Sequence, residues 1–170
     1  RSLGDAEGPV SLVMASANAQ ATADDLADRG VICQPPFAVT RDWHLADGVD
    51  VQVSFTVCIP TTGQSPVYWN LCAHETRQHY VRPDMTRHAN GAIRIVGVDA
   101  VAPDAAAAAS VLADQWGVTA ATGSDGVSVI APGDVALHLR KADGGARITG
   151  LRVAGLSEPA QLFGLDLVPA

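Results

Sequence analysis

Four residues with metal-binding or acid–base chemistry, His74, Glu75, His79 and His88, fall within fifteen positions of one another. Imidazole and carboxylate are the donor types that hold zinc and similar divalent ions. None of the histidines has the HxxxH or HxH spacing that one helix or strand would impose on a chelate, so any convergence must come from the fold. The commoner state of an imidazole such as His74, at the end of a strand, is a hydrogen bond to backbone. His138 stands in VALHLR, where alternation sends Leu137 and Leu139 to one face and His138 with Arg140 to the other. On a concave face His138 is a ligand or a general base; on a convex face it only meets water. A third set is Arg41, Trp43 and Trp69. A guanidinium pairs with a carboxylate through two parallel hydrogen bonds and indoles supply flat apolar walls, so the set suits a carboxylated or aromatic small molecule. The plain alternative makes Trp69 a core residue and Arg41 a surface ion-pair partner.

The elements that must position these residues follow from apolar periodicity. An apolar run over residues 9–17 reads as a buried strand. Thr22 is expected to cap a helix over 23–29, with Asp24 and Asp25 in its positive first turn and Gly30 as its stop. Extended pieces at 31–33 and 37–40 flank Pro35-Pro36. After an Asp47-Gly48 turn, residues 50–59 alternate cleanly, with Val51, Val53, Phe55, Val57 and Ile59 on one side. Residues 67–73 form the next strand, completing a βαβββ order. A polar connector leads to a second apolar run over 93–102 and a helix over 105–116, capped by Asp104 and stopped by Gly117, with Ala108, Val111, Leu112 and Trp116 as its apolar stripe. Strands at 118–121, 127–131, 135–140 and 146–154 follow. The expected fold is α+β: two tandem βαβββ modules, residues 9–75 and 92–168 joined by a connector at 76–91, forming a curved mixed sheet around a cleft.

Composition narrows the function classes. The 170 residues are 48% hydrophobic and 17% charged, as in a globular chain with a sizeable core. A formal charge of −7 repels a phosphate backbone and argues against nucleic acid. No apolar stretch approaches the roughly 20 residues that span a bilayer, and no signal peptide opens the sequence; a soluble, cytoplasmic protein is expected. Cys33, Cys58 and Cys72 lack a CxxC pair and read as buried free thiols. Gly91 and Gly97 read as turn and close-packing glycines, because neither belongs to a GxGxxG or GxxxxGK loop, and no GxSxG elbow is present.

Residues 66–104, PVYWNLCAHETRQHYVRPDMTRHANGAIRIVGVDAVAPD, make the pattern specific. A strand ending in an aromatic segment and a histidine (Trp69, His74) precedes an Arg82-Pro83 step and a His88-Ala89-Asn90-Gly91-Ala92 element that opens the next strand. This resembles the glyoxalase-like domain family of the vicinal-oxygen-chelate superfamily. Ala89 stands where that family usually has proline, and Arg41 in VTRDW resembles an arginine the family carries before its third strand. The resemblance implies a small-molecule ligand in a cupped sheet, a divalent Zn, Fe, Mn or Ni ion, and activity as a metal-dependent lyase, isomerase or dioxygenase. On it, His74 and His138 become metal ligands and catalytic groups, and Arg41, Trp43, Trp69 and His88 bind substrate. The family pattern also begins with a further module bearing a Leu-Asp-His-like signature, which this sequence does not contain; SLVMASA and RIVGVDA, the first strands here, hold neither His nor Glu. That departure favours two alternatives: a metal-free module that sequesters a small molecule, or a portion completed by a leading module. A homodimer is equally compatible with the pattern.

Overall fold

The computed structural model describes residues 8–61, 63 and 65–170. The chain divides into two compact units. One comprises Val13–Gln64 and Trp69–Thr86, the other Arg1–Leu12, Ser65–Tyr68 and Arg87–Ala170. They are called the amino-terminal and carboxy-terminal units below.

The amino-terminal unit is built on strands β1 (Leu12–Ala15), β2 (Phe37–His44), β3 (Asp50–Cys58) and β4 (Trp69–His74), in the order β1-β4-β3-β2, with helix α1 (Ala19–Asp28) after β1. The helix starts earlier than expected. Asn18, not Thr22, is its cap: the Asn18 carboxamide accepts from the Ala21 amide at 3.0 Å, and the Thr22 hydroxyl donates to the Asn18 carbonyl at 2.9 Å. Asn caps as well as Thr, and the alanines behind it are strong helix formers, so the first turn extends back to Ala19. Gly30 stops the helix with φ of 76°. Hairpin β2–β3 runs in register through eight pairs, from Phe37 opposite Val57 to His44 opposite Asp50. Leu45, 2% exposed, anchors its turn, which Gly48 closes at φ of 83°. Beyond β4 come a 3₁₀ turn at Arg77–His79 and a short helix, α2 (Pro83–Thr86).

The carboxy-terminal unit repeats the order with β5 (Arg94–Ala102), α3 (Ala105–Trp116), β6 (Ala120–Thr122), β7 (Ser128–Ile130) and β8 (Ala136–Lys141), then adds β9 (Arg147–Ala154), β10 (Ala160–Leu162) and β11 (Leu165–Pro169). The sheet order is β10-β11-β9-β5-β8-β7-β6, with β5 parallel to β8 and antiparallel to β9. The Asp104 carboxylate accepts from the Ala107 amide at 3.0 Å, and Gly117 ends α3 in the left-handed region at φ of 67°. The buried stripe of α3 is Ala105, Ala108, Ala109, Leu112 and Ala113, an i, i+3, i+4, i+7, i+8 pattern, while Val111 points outward at 41% exposure. Small residues on that stripe let the helix lie close on Leu137, Leu139, Ser128 and Ile130, all buried. The structure is therefore α+β with tandem βαβββ order. The two last strands escaped the sequence reading. They are joined by a two-residue hairpin in which Phe163 (φ 49°) and Gly164 (φ 73°) are both left-handed, the backbone of a type I′ turn without its usual Asn-Gly.

Candidate functional site

In the carboxy-terminal unit, alternation and register together fix one face of the sheet. Val98 and Ala100 sit opposite Leu137 and Leu139 on the face covered by α3. Asp99 is opposite His138, Val101 opposite Arg140 and His138 opposite Val129, so these share the other face. From β9, Arg152 pairs with Gly97. A Cβ on Gly97 would meet Arg152 Cδ at 2.9 Å and its Cβ at 3.2 Å. The bare glycine is what lets the Arg152 side chain lie across β5 towards Asp99. There its Nη2 donates to Asp99 Oδ1 at 2.8 Å and its Nε to Oδ2 at 3.2 Å, a two-point ion pair that fixes the guanidinium. Gly150 clears the other flank, since a Cβ there would meet Asp99 Cβ at 3.6 Å and the Asp166 carbonyl at 3.0 Å.

A cavity of about 370 Å³ opens on this face, lined among others by Thr122, Asp125, Val129, His138, Arg140 and Arg152. Burial and the neighbouring Arg152 hold the His138 imidazole below its ordinary pKa of 6.5, with Arg140 adding to the effect and Asp99 opposing it. His138 is thus neutral at neutral pH and keeps a lone pair for a proton or a donor. The Asp99 hydrogen bond pushes Arg152 up. Arg140 is exposed and, among the described residues, has no ion-pair partner. Asp125 is engaged in its own turn, accepting from the Val127 amide at 3.2 Å. The cavity thus offers one unpaired cation, one fixed cation, one neutral imidazole and an apolar wall.

The amino-terminal unit carries a different surface. Arg41 is opposite Val53, Trp43 opposite Val51 and His74 opposite Phe55, so Arg41, Trp43 and His74 share one face of that sheet. His74 meets the Tyr80 ring edge-on at 5.1 Å and Phe55 at 6.0 Å, and Trp43 stacks on Tyr80 at 6.2 Å. Cys72 Sγ lies 3.9 Å from His74 Nδ1. Tyr80 has a buried hydroxyl without a hydrogen-bond partner among the described residues, and burial pushes its pKa up. Trp69 does not join this patch. It alternates with Cys72 and His74 onto the opposite face and is 2% exposed, a core residue.

His88 is exposed, in the carboxy-terminal unit, where its carbonyl accepts from the Gly91 amide at 3.0 Å. The segment around it has a packing explanation. Gly91, at φ of 78°, crosses Gly155, at φ of 79°, so closely that a Cβ on either would run into the other's carbonyl. The Asn90 carbonyl accepts from Ser157 amide and hydroxyl, both at 3.1 Å.

A divalent ion needs three or more convergent donors, and among the described residues no such group of His, Cys, Asp or Glu is present. His138 has Asp99 for a neighbour, already bound to Arg152, and two guanidiniums that would repel a cation. His74 is surrounded by Phe55, Tyr80 and Cys72. Among the described residues of each unit, the donors present do not fit a metal. Sequence reasoning placed His138 with Arg140 on one face but missed Asp99 and Arg152. The signal was a lone carboxylate inside the apolar strand RIVGVDAVA.

These features define an α+β protein of repeated βαβββ modules with a polar cavity on the sheet face that its helix leaves uncovered. The family model described as a glyoxalase-like domain matches residues 1–116, and the chain belongs to that family. The match ends before β6, so it does not reach His138, Arg140 or Arg152. A crystal structure of a hypothetical protein from Staphylococcus aureus is similar with a TM-score of 0.71 over 92% of this chain, at 10% identity. That likeness concerns the fold, and the chain spans 64% of that protein's length. A mutant of 4-hydroxymandelate synthase from Streptomyces coelicolor aligns at a TM-score of 0.41 and 9% identity, covering 85% of this chain and 48% of that one, too slight a similarity to bear on function. No curated protein matches the chain.

Proposed function

We propose that this glyoxalase-like domain binds a small molecule bearing one carboxylate, and does so in the carboxy-terminal unit without a metal ion. What supports this reading is the cavity of about 370 Å³ with an unpaired Arg140 beside Arg152, itself fixed by Asp99, and a neutral His138. A volume of that order suits a small ligand. Arg140 anchors the carboxylate, His138 hydrogen-bonds a second polar atom, and Val127 and Val129 pack against the apolar body. A thermal-shift series on chelator-treated protein tests it: small aromatic and aliphatic carboxylates raise the unfolding temperature and their uncharged amides do not. Stabilisation that is equal for acids and amides, or that survives Arg140→Gln, rules the reading out.

The neutral state of His138 favours a second reading, an enzyme in which that imidazole takes a proton from the bound ligand. A metal-dependent lyase, isomerase or dioxygenase is its family-based form. Stoichiometric binding of Zn, Fe, Mn or Ni that is lost in His138→Ala would replace the metal-free account by that one. On the amino-terminal unit, Arg41 and Trp43 form a separate candidate patch for planar or anionic ligands.

A further inference from the structure

We propose that Cys33 and Cys58 form a peroxide-reactive thiol pair that closes to an intrachain disulfide, tying the segment before β2 to the end of β3. Three free cysteines lie in the amino-terminal unit, and the backbone decides which two meet. Cys33 forms an isolated antiparallel bridge with Pro60. The flanking hydrogen bonds, Gln34 amide to Ile59 carbonyl at 2.9 Å and Thr61 amide to Ile32 carbonyl at 2.8 Å, lie outside the pair. Cys33 and Pro60 are thus a non-hydrogen-bonded pair, in which facing side chains come closest. Proline, which has no amide hydrogen to donate, loses nothing at that position. Cys58, two residues before Pro60, points to the same face as Pro60 and becomes the diagonal neighbour of Cys33. Cys72 points the other way: it pairs with Val57, whereas Cys58 pairs with Leu71. The two thiols are near enough to act on each other: burial first, and then the neighbouring Cys33 thiol, push Cys58 up to about 12.

The pair is asymmetric in the way a two-step oxidation requires. Cys33 is half-buried and reachable by a small oxidant, while Cys58 is 0% exposed. Hydrogen peroxide oxidises the Cys33 sulfur to a sulfenic acid as the O–O bond breaks and one water leaves. The Cys58 sulfur then attacks that sulfur, the S–O bond breaks, and the oxygen departs as a second water with the Cys58 proton. Two thiols lose two electrons and two protons, and one peroxide becomes two waters. The high pKa of Cys58 slows the second step at neutral pH, and alkaline pH accelerates it.

The test is peroxide treatment of the whole chain, denaturation, alkylation with iodoacetamide and intact-mass measurement. Untreated protein takes up three alkyl groups, one for each cysteine; treated protein takes up only one, at Cys72, is lighter by two hydrogens before alkylation, and regains all three after dithiothreitol. Cys72→Ser still forms the link, and Cys33→Ser does not. Should Cys58→Ser fail to fold, the half-exposed Cys33→Ser carries the test alone. Unchanged alkylation of all cysteines, a link involving Cys72, or a link only between chains would each overturn the proposal.

Discussion

His74 and His138 occupy the same place in their modules, on the fourth strand of a βαβββ order, beside the strand that opens it, yet their surroundings share almost nothing. In the amino-terminal unit the imidazole sits among Phe55, Tyr80 and the Cys72 thiol. In the carboxy-terminal unit it lies beside Arg152, Asp99 and Arg140, over a cavity. One strand order thus builds an aromatic face in one unit and a charged one in the other. The strand supplies only position; the neighbours across the ladder supply chemistry. Two glycines make the difference in the second case, because Gly97 and Gly150 leave the room in which Arg152 reaches Asp99.

The largest expected effect separates the two faces directly. Arg140→Gln should weaken carboxylate binding by about 10- to 100-fold, the range of a lost charge-assisted hydrogen bond, while Arg41→Gln leaves it unchanged; calorimetric titration of both variants distinguishes the faces. Equal losses would erase the contrast. Next in size is the support beneath the cavity. Arg152→Met leaves Asp99, whose side chain is 23% exposed, without its cation, and should cost about 1–3 kcal/mol in urea unfolding. The ion pair of Arg82 with Asp47 in the amino-terminal unit, 28% and 45% exposed, should cost less on Arg82→Met than Arg152→Met does, as exposed pairs do.

A smaller effect concerns pH. The His138 pKa is lowered in the folded chain, so the unfolded chain takes up the proton first as pH falls. The stability this contributes is complete above the unfolded value near 6.5 and is lost as pH falls towards the folded value. His138→Gln should flatten that part of the stability curve, and an unaltered curve would mean the imidazole is not desolvated. Smallest of all, Tyr80→Phe removes a buried hydroxyl without a partner and should change stability by no more than about 1 kcal/mol, towards stabilisation. A clear loss would show that the hydroxyl has a partner after all.

Much of this organisation could be read in the sequence because it is local. Alternation through β3, the Asp104 cap, the Gly117 stop and the shared face of His138 and Arg140 each depend on a few neighbouring residues. The Thr22 cap was displaced by Asn18, an equally good cap with helix-forming alanines after it. Strands β10 and β11 are short and joined by a Phe-Gly turn that lacks the usual signature. The Asp99–Arg152 pair joins residues far apart in the chain and depends on the register of β5 with β9, which alternation within a strand does not specify. The core alternative for Trp69 was legible too, since an odd separation from His74 along β4 puts the two on opposite faces.

The most direct measurement follows the side-chain NMR resonances of His138 and Arg140 in chelator-treated protein as phenylacetate is added. The account predicts saturable shifts at both residues, absent with phenylacetamide and absent in Arg140→Gln. No shift, or a shift only after a divalent ion is supplied, would contradict a metal-free carboxylate site in the carboxy-terminal unit.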